Sequence, residues 1–149
     1  MAQKKKSRVG AEDLGIHLKS QSGRELFNWL VACILFAKPV AQEMAGKAFL
    51  ALEHEHLTRP DTIRKAGWQR LVNVLDEAHY VRYDESTATR LLQAVDLLKE
   101  RYGGSMRKLV KQSRDRAELS ERLQEFNGIG PKASQIFIRD LAKAGWHSA

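Results

Sequence analysis

Residues Leu119 to Leu141 read LSERLQEFNGIGPKASQIFIRDL. Two amphipathic helical stretches are separated only by Asn127, Gly128, Ile129 and Gly130, too few residues for anything but a tight hairpin. Gly128 and Gly130 tolerate positive φ and carry no side chain that would hold a ligand away from the backbone. Ile129, between them, is expected to turn inward and pin the hairpin to the core. Pro131 suits the first turn of the second helix, where a missing N–H costs little. The spacing therefore predicts a helix N-terminus with unpaired N–H groups, bare backbone and Lys132 on one edge. Such an edge suits a phosphate.

Working outward, helical signals fill the chain. Ser22 and Glu25 have the spacing of a capping box, and Leu26, Phe27, Leu30, Val31, Ile34 and Leu35 recur at helical intervals behind it. Pro39 breaks that helix and suits the first turn of the next, which carries Val40, Met44 and Ala48 on one face. Thr58-Arg59-Pro60-Asp61 opens a third helix that Gly67 ends; Trp68, Leu71, Val72 and Leu75 form the buried stripe of a fourth. Asp84 is expected to cap a fifth with Leu91, Val95 and Leu98 inward, stopped at Tyr102-Gly103-Gly104. Short segments near 105–112 and 115–126 precede a last helix from Pro131 to Lys143. No strand-like alternation and no repeat interrupts them. The expected fold is all-α, a compact bundle of seven or eight short helices. Residues 1–20 read as a basic flexible arm and 21–149 as one domain, with the hairpin motif at about 115–143.

The chain has 149 residues, enough for one self-sufficient core. Its single cysteine, Cys33, excludes an intrachain disulfide framework, a four-cysteine zinc site and a cysteine-ligated iron–sulfur cluster. The longest apolar run, Leu30 to Ala37, falls far short of the ~18 residues of a membrane span. No membrane partner is expected, and without a signal-peptide pattern the expected compartment is the cytoplasm. Lys plus Arg (25) outnumber Asp plus Glu (18), a net +7. The excess sits at the ends: five basic against two acidic residues in 1–20, and ten against five in 101–149, while the middle is nearly neutral. A basic surface selects polyanions, with duplex DNA foremost; for Lys4, Lys5, Lys6 and Arg8 a merely solubilising tail is the equal alternative.

Phe126, Asn127, Gly128, Ile129, Gly130 and Ala133 fill the pattern hydrophobic, any residue, Gly, hydrophobic, Gly, then a helix with Ala. The stretch resembles the helix-hairpin-helix element. With Lys132 two residues past the second glycine, it resembles the endonuclease III-like superfamily of DNA glycosylases. The helices from Arg24 through Gly104 follow the order of that family's six-helix barrel. LFNWLVACILFAK (Leu26–Lys38) looks like its first barrel helix, and ESTATRLLQAVDLL (Glu85–Leu98) like the helix before the hairpin region.

The resemblance implies a base-excision-repair role on double-stranded, damaged or abasic DNA, by a monomer associated with the nucleoid if bacterial. Asn127, Gly128, Ile129, Gly130 and Lys132 would form the docking edge, with the amides of Gly128, Gly130 and Lys132 facing the DNA. The carbonyls of Gln124, Phe126 and Ile129 would hold a monovalent cation that bridges to a phosphate. Lys132 would attack the sugar C1′ to form a Schiff base once the base is flipped out, or else merely contact a phosphate. The family's assisting Asp would fall at position 150, one past Ala149, and the region of its iron–sulfur cluster is likewise missing, so no cluster is expected. Asp140 lies about 12 Å up the same helix as Lys132, too far to substitute, with Arg139 its natural partner. Where many members carry a DNA-inserting Gln, this chain has Lys38-Pro39, and Lys38 is expected on a phosphate. His79-Tyr80-Val81-Arg82-Tyr83 falls where the family has its intercalating wedge; Tyr80 and Arg82 are the stacking candidates, and half-buried packing is the alternative.

Three residue sets read as ordinary structure. Glu53-His54-Glu55-His56 lacks metal-ligand geometry on a helix end and reads as a solvated loop. Cys33 and Trp29 read as core. Trp146 either packs back on the domain or marks a junction. Two other function classes remain open from sequence: a non-catalytic DNA-binding or repair-accessory module, and a helical protein-interaction domain.

Overall fold

The computed structural model describes residues 9–147. Seven α-helices follow two single-turn 3-10 helices, Glu12–Leu14 and Leu18–Ser20: α1 (Gly23–Phe36), α2 (Gln42–His54), α3 (Pro60–Glu77), α4 (Asp84–Tyr102), α5 (Met106–Gln112), α6 (Arg116–Leu123) and α7 (Pro131–Lys143). No strand occurs among the described residues, as the periodicity led one to expect. None of the helices is long and apolar enough to cross a membrane.

The hub is α1, which is buried from Leu26 through Phe36 and packs against α2, α4, α5 and α7. Such burial on all sides follows from a run with almost no polar residue. Trp29 is fully buried and its Nε1 donates to the carbonyl of Phe137, tying α1 to α7 at 3.2 Å. Cys33 is a core residue; burial and the nearby Asp140 push its thiol well above the usual range, with Arg139 acting weakly the other way. Trp146 folds back onto the core.

Local signals mostly place the helix ends, with four corrections. The Ser22 hydroxyl accepts from the Glu25 amide, but the Glu25 carboxylate reaches the His17 N–H instead of Ser22, so only half of the capping box forms. Pro39 lies in the bend between α1 and α2 rather than in a first helical turn, and α2 begins at Gln42. Tyr83, not Asp84, is the N-cap of α4; the Asp84 carboxylate takes the Glu85 amide. Trp68, expected in a buried stripe, is 39% exposed and donates to the Thr89 hydroxyl. Gly67 marks the predicted break, as a kink (φ 83, ψ 173) inside the segment spanned by α3.

The expected flexible arm needs the largest correction. Residues 1–8, with the lysine run, lie outside the described residues, but from Val9 onward the segment is packed. Ala11, Leu14, Ile16 and Leu18 are buried in the core. The Ala11 N–H donates to Asp140 on α7 at 2.7 Å, and the Val9 N–H to Gln42 on α2. Leu14, Ile16 and Leu18 alternate over only five residues, broken by Gly15 and among polar neighbours, so their burial left little mark in the pattern.

Candidate nucleic-acid interface

Helices α6 and α7 pack against one another and are joined by the turn 124–130. Phe126 and Ile129 are buried beneath the turn, and the Ile129 N–H closes it on the Phe126 carbonyl at 3.0 Å. Ile129 is therefore an anchor, and its side chain faces away from any ligand. Asn127 is exposed and donates from Nδ2 to Gln93 on α4 at 2.8 Å.

The two glycines differ. Gly128 has φ 95, which requires glycine, and a Cβ there would lie 2.7 Å from Arg90 Cδ. Gly130 is extended (φ −98, ψ −168), so the expected positive φ is not adopted, and a Cβ there would meet nothing within 4 Å. Gly130 is the N-cap of α7 and supplies no side-chain cap, and Pro131 follows at the first position. The amides of Gly128, Gly130 and Lys132 donate to no partner among the described residues. The Lys132 side chain is exposed in the first turn and pairs with no carboxylate among them.

Asp140 has no part in this edge. It is buried, and its two oxygens accept from the Ala11 N–H and from Arg139 Nε, both at 2.7 Å. It lines a groove of about 760 Å³ between residues 10–19 and 139–145, which includes neither Lys132 nor the turn.

Of the more distant candidates, Tyr80 is corrected. It is 1% exposed, and its hydroxyl donates to the Leu35 carbonyl at 2.7 Å, so it packs and does not wedge. Burial, opposed weakly by the Thr87 hydroxyl and Arg90, pushes the phenol up to about 12. Its neighbours are placed differently. Arg82 is exposed, with its guanidinium carbon 5.8 Å from the Tyr83 ring centroid; Lys38 Nζ lies over the same ring at 5.0 Å. Partial burial and then nearby Arg90 hold the Lys38 ammonium below its usual range. Arg90 connects this group to the turn, because its side chain runs across Gly128.

Sequence reading missed Arg90 and Gln93 altogether. They are three residues apart on α4, hence neighbours on one helical face, and they seat the turn from a distance in sequence that no local pattern reveals. The acidic-histidine stretch Glu53–His56 is exposed, with Glu55 drawn to Arg70 at 2.6 Å. No family model matches this chain, and no curated protein or solved structure does either.

Proposed function

We propose that this chain is a DNA-binding domain of base-excision-repair type that docks on duplex phosphates through the turn 124–130. One observation carries the reading: the amides of Gly128, Gly130 and Lys132, which the resemblance assigns to the DNA, all lack acceptors among the described residues, as do those of Asn127 and Ala133 beside them. They share an edge with the exposed Lys132 and with the open space beside Gly130. Backbone N–H groups at the start of a helix, beside a lysine, form a sequence-independent phosphate contact. A monovalent cation fits the same turn. The carbonyls of Gln124 and Ile129 accept no hydrogen bond among the described residues, and that of Phe126 accepts one, leaving a lone pair. When bound, the ion would add a positive charge between the turn and a phosphate.

Chemistry at Lys132 is the second part of the proposal. Its amine would add to the C1′ aldehyde of an abasic sugar and lose water, leaving an imine. Asp140 takes no share in this, being held by Ala11 and Arg139. Reduction with borohydride on abasic-site duplex tests it. A covalent adduct that disappears in Lys132→Gln supports lyase chemistry. Steeply salt-dependent duplex binding with no adduct leaves a docking module without catalysis, and duplex affinity that is absent or indifferent to salt refutes the docking itself.

A further inference from the structure

Three cations come from three separate elements: Lys38 from the bend after α1, Arg82 from the loop before α4, and Arg90 from α4 itself, the last of them against the turn. The first two share the Tyr83 ring, at 5.0 and 5.8 Å from its centroid. The third lies against the backbone of Gly128, where a Cβ would come within 3.1 Å of both Nε and Nη1 of the guanidinium. Arg90 lies two turns along α4 from Tyr83, the N-cap of that helix, and on the same face, and its charge acts with partial burial to disfavour the charged form of Lys38.

Like charges brought together in this way repel, and elsewhere the protein relieves such costs. Arg64 pairs with Asp96, Arg70 with Glu55, Arg101 with Glu125, Arg114 and Arg122 with Glu118, and Arg139 with Asp140. No carboxylate among the described residues pairs with Lys38, Arg82 or Arg90. The acidic residue next along the chain, Asp84, turns one oxygen onto the Glu85 amide. Lys38 and Arg90 are half-buried and Arg82 is exposed, so the cluster is open to an incoming anion. The position of Arg90 is also defined: its stem rests on a glycine that no other residue replaces without strain, since Gly128 has φ 95.

We propose that Lys38, Arg82 and Arg90 form a second phosphate seat beside the turn, with Arg90 as its fixed member, taking a phosphodiester group of a nucleic-acid backbone. The choice of a backbone phosphate rests on the duplex-docking reading above, because the seat shares the Asn127-Gly128 turn with the unpaired amides. A duplex presents successive phosphates along one strand, so two seats on one edge engage neighbouring groups. Gly128 then owes its identity both to its φ of 95 and to the Arg90 side chain over it, while Gly130 leaves room for the ligand.

Salt titration of duplex binding, together with phosphate titration of the free protein, tests the seat. Losing one phosphate contact lowers the slope of log K against log salt by about 0.9. Arg90→Gln is expected to show that change and about a tenfold loss of affinity at low salt. Arg90→Lys, which keeps the charge, is expected to restore the slope. Inorganic phosphate is expected to shift the Arg90 Nε–H resonance saturably, while that of the exposed Arg107 follows only a shallow linear drift. An Arg90→Gln variant that melts lower but binds with the full slope makes Arg90 a packing residue and overturns the seat. An Arg90 resonance indifferent to phosphate overturns it as well. Wild-type protein that binds no duplex yet shows the saturable shift refutes the duplex reading while upholding the seat.

Discussion

The starts of α6 and α7 lie within one supersecondary unit and are built in opposite ways. At α6 the Asp115 side chain accepts the Glu118 amide at 2.9 Å, and the Glu118 carboxylate returns to the Arg114 N–H at 2.8 Å. Arg114 and Arg122 close on the same carboxylate, so donors and charges are consumed internally. At α7 the corresponding position is Gly130, followed by Pro131 and Lys132, with no capping side chain and no carboxylate partner among the described residues. A helix start costs stability when its N–H groups go uncapped, typically about 1 kcal/mol. The chain caps α6 and leaves α7 uncapped, as it does α2, α3 and α4, but among these only the α7 start joins the turn and carries Lys132.

The difference is also a lesson about charge. Counting residues makes 101–149 the basic third, yet Arg101, Arg114, Arg122 and Arg139 are all paired with carboxylates. Lys38, Arg82 and Arg90 come from the nearly neutral middle and carry charge that nothing among the described residues pairs. Net charge by segment therefore overlooks this part of the positive field, which adds to the cations of 101–149 that have no ion pair among the described residues, Lys132 among them.

The largest expected effect comes from giving α7 the start that α6 has. Gly130→Asp introduces a capping carboxylate at an extended residue whose Cβ meets nothing. Its melting temperature is expected to hold or rise, while duplex affinity, read by fluorescence anisotropy, falls about 100-fold as amides are occupied and a negative charge faces the phosphate. A Gly130→Asp protein that binds as well as wild type would erase the distinction between the two helix starts.

Next come the two glycines themselves. Gly128→Ala forces a side chain into φ 95 and against Arg90, and is expected to cost about 1–2 kcal/mol in denaturant melts. Gly130→Ala, which is neither strained nor crowded, is expected to cost less than about 0.5 kcal/mol of stability and to weaken duplex binding. Equal stability losses at the two positions would remove the division of labour between them.

The smallest effect concerns acid. Hydrogen bonds from the Arg114 side chain and backbone hold the Glu118 carboxyl at about 2, well below its usual 4.5. A depressed carboxyl contributes stability above its ordinary range, and that contribution disappears as pH falls through about 2. Glu118→Gln is thus expected to melt slightly below wild type at neutral pH and to converge with it near pH 2. A gap that stays constant with pH would mean that Glu118 acts through packing and not through charge.

Much of this was legible locally. Pro131 and Lys143 bound α7 as its punctuation predicted, Gly103 ends α4 with φ 62, and Trp29 and Cys33 are core. Each depends on neighbours within a turn or two. What escaped depends on residues far along the chain. Tyr80 is buried because Leu35 offers it a carbonyl, and Arg90 matters because Gly128 is brought beneath it. Residues 9–20 pack through Ala11, Leu14, Ile16 and Leu18 in the core, with the Ala11 amide on the distant Asp140. Of the site, the sequence pattern pointed to the turn and its amides but not to the helix that seats it.

The Asp140 contact bears on the order in which the chain acquires its structure. Ala11 and Asp140 are 129 positions apart, and Trp29 and Phe137 are 108 apart, so both bonds join the earliest described residues to the last helix. While a ribosome still holds residues 131–143, the Trp29 indole and the Ala11 amide lack their acceptors, and a buried donor left unmet costs about 1–3 kcal/mol. The N-terminal segment therefore waits until α7 has emerged. Hydrogen exchange at the Ala11 amide is the clock on which its closure can be read.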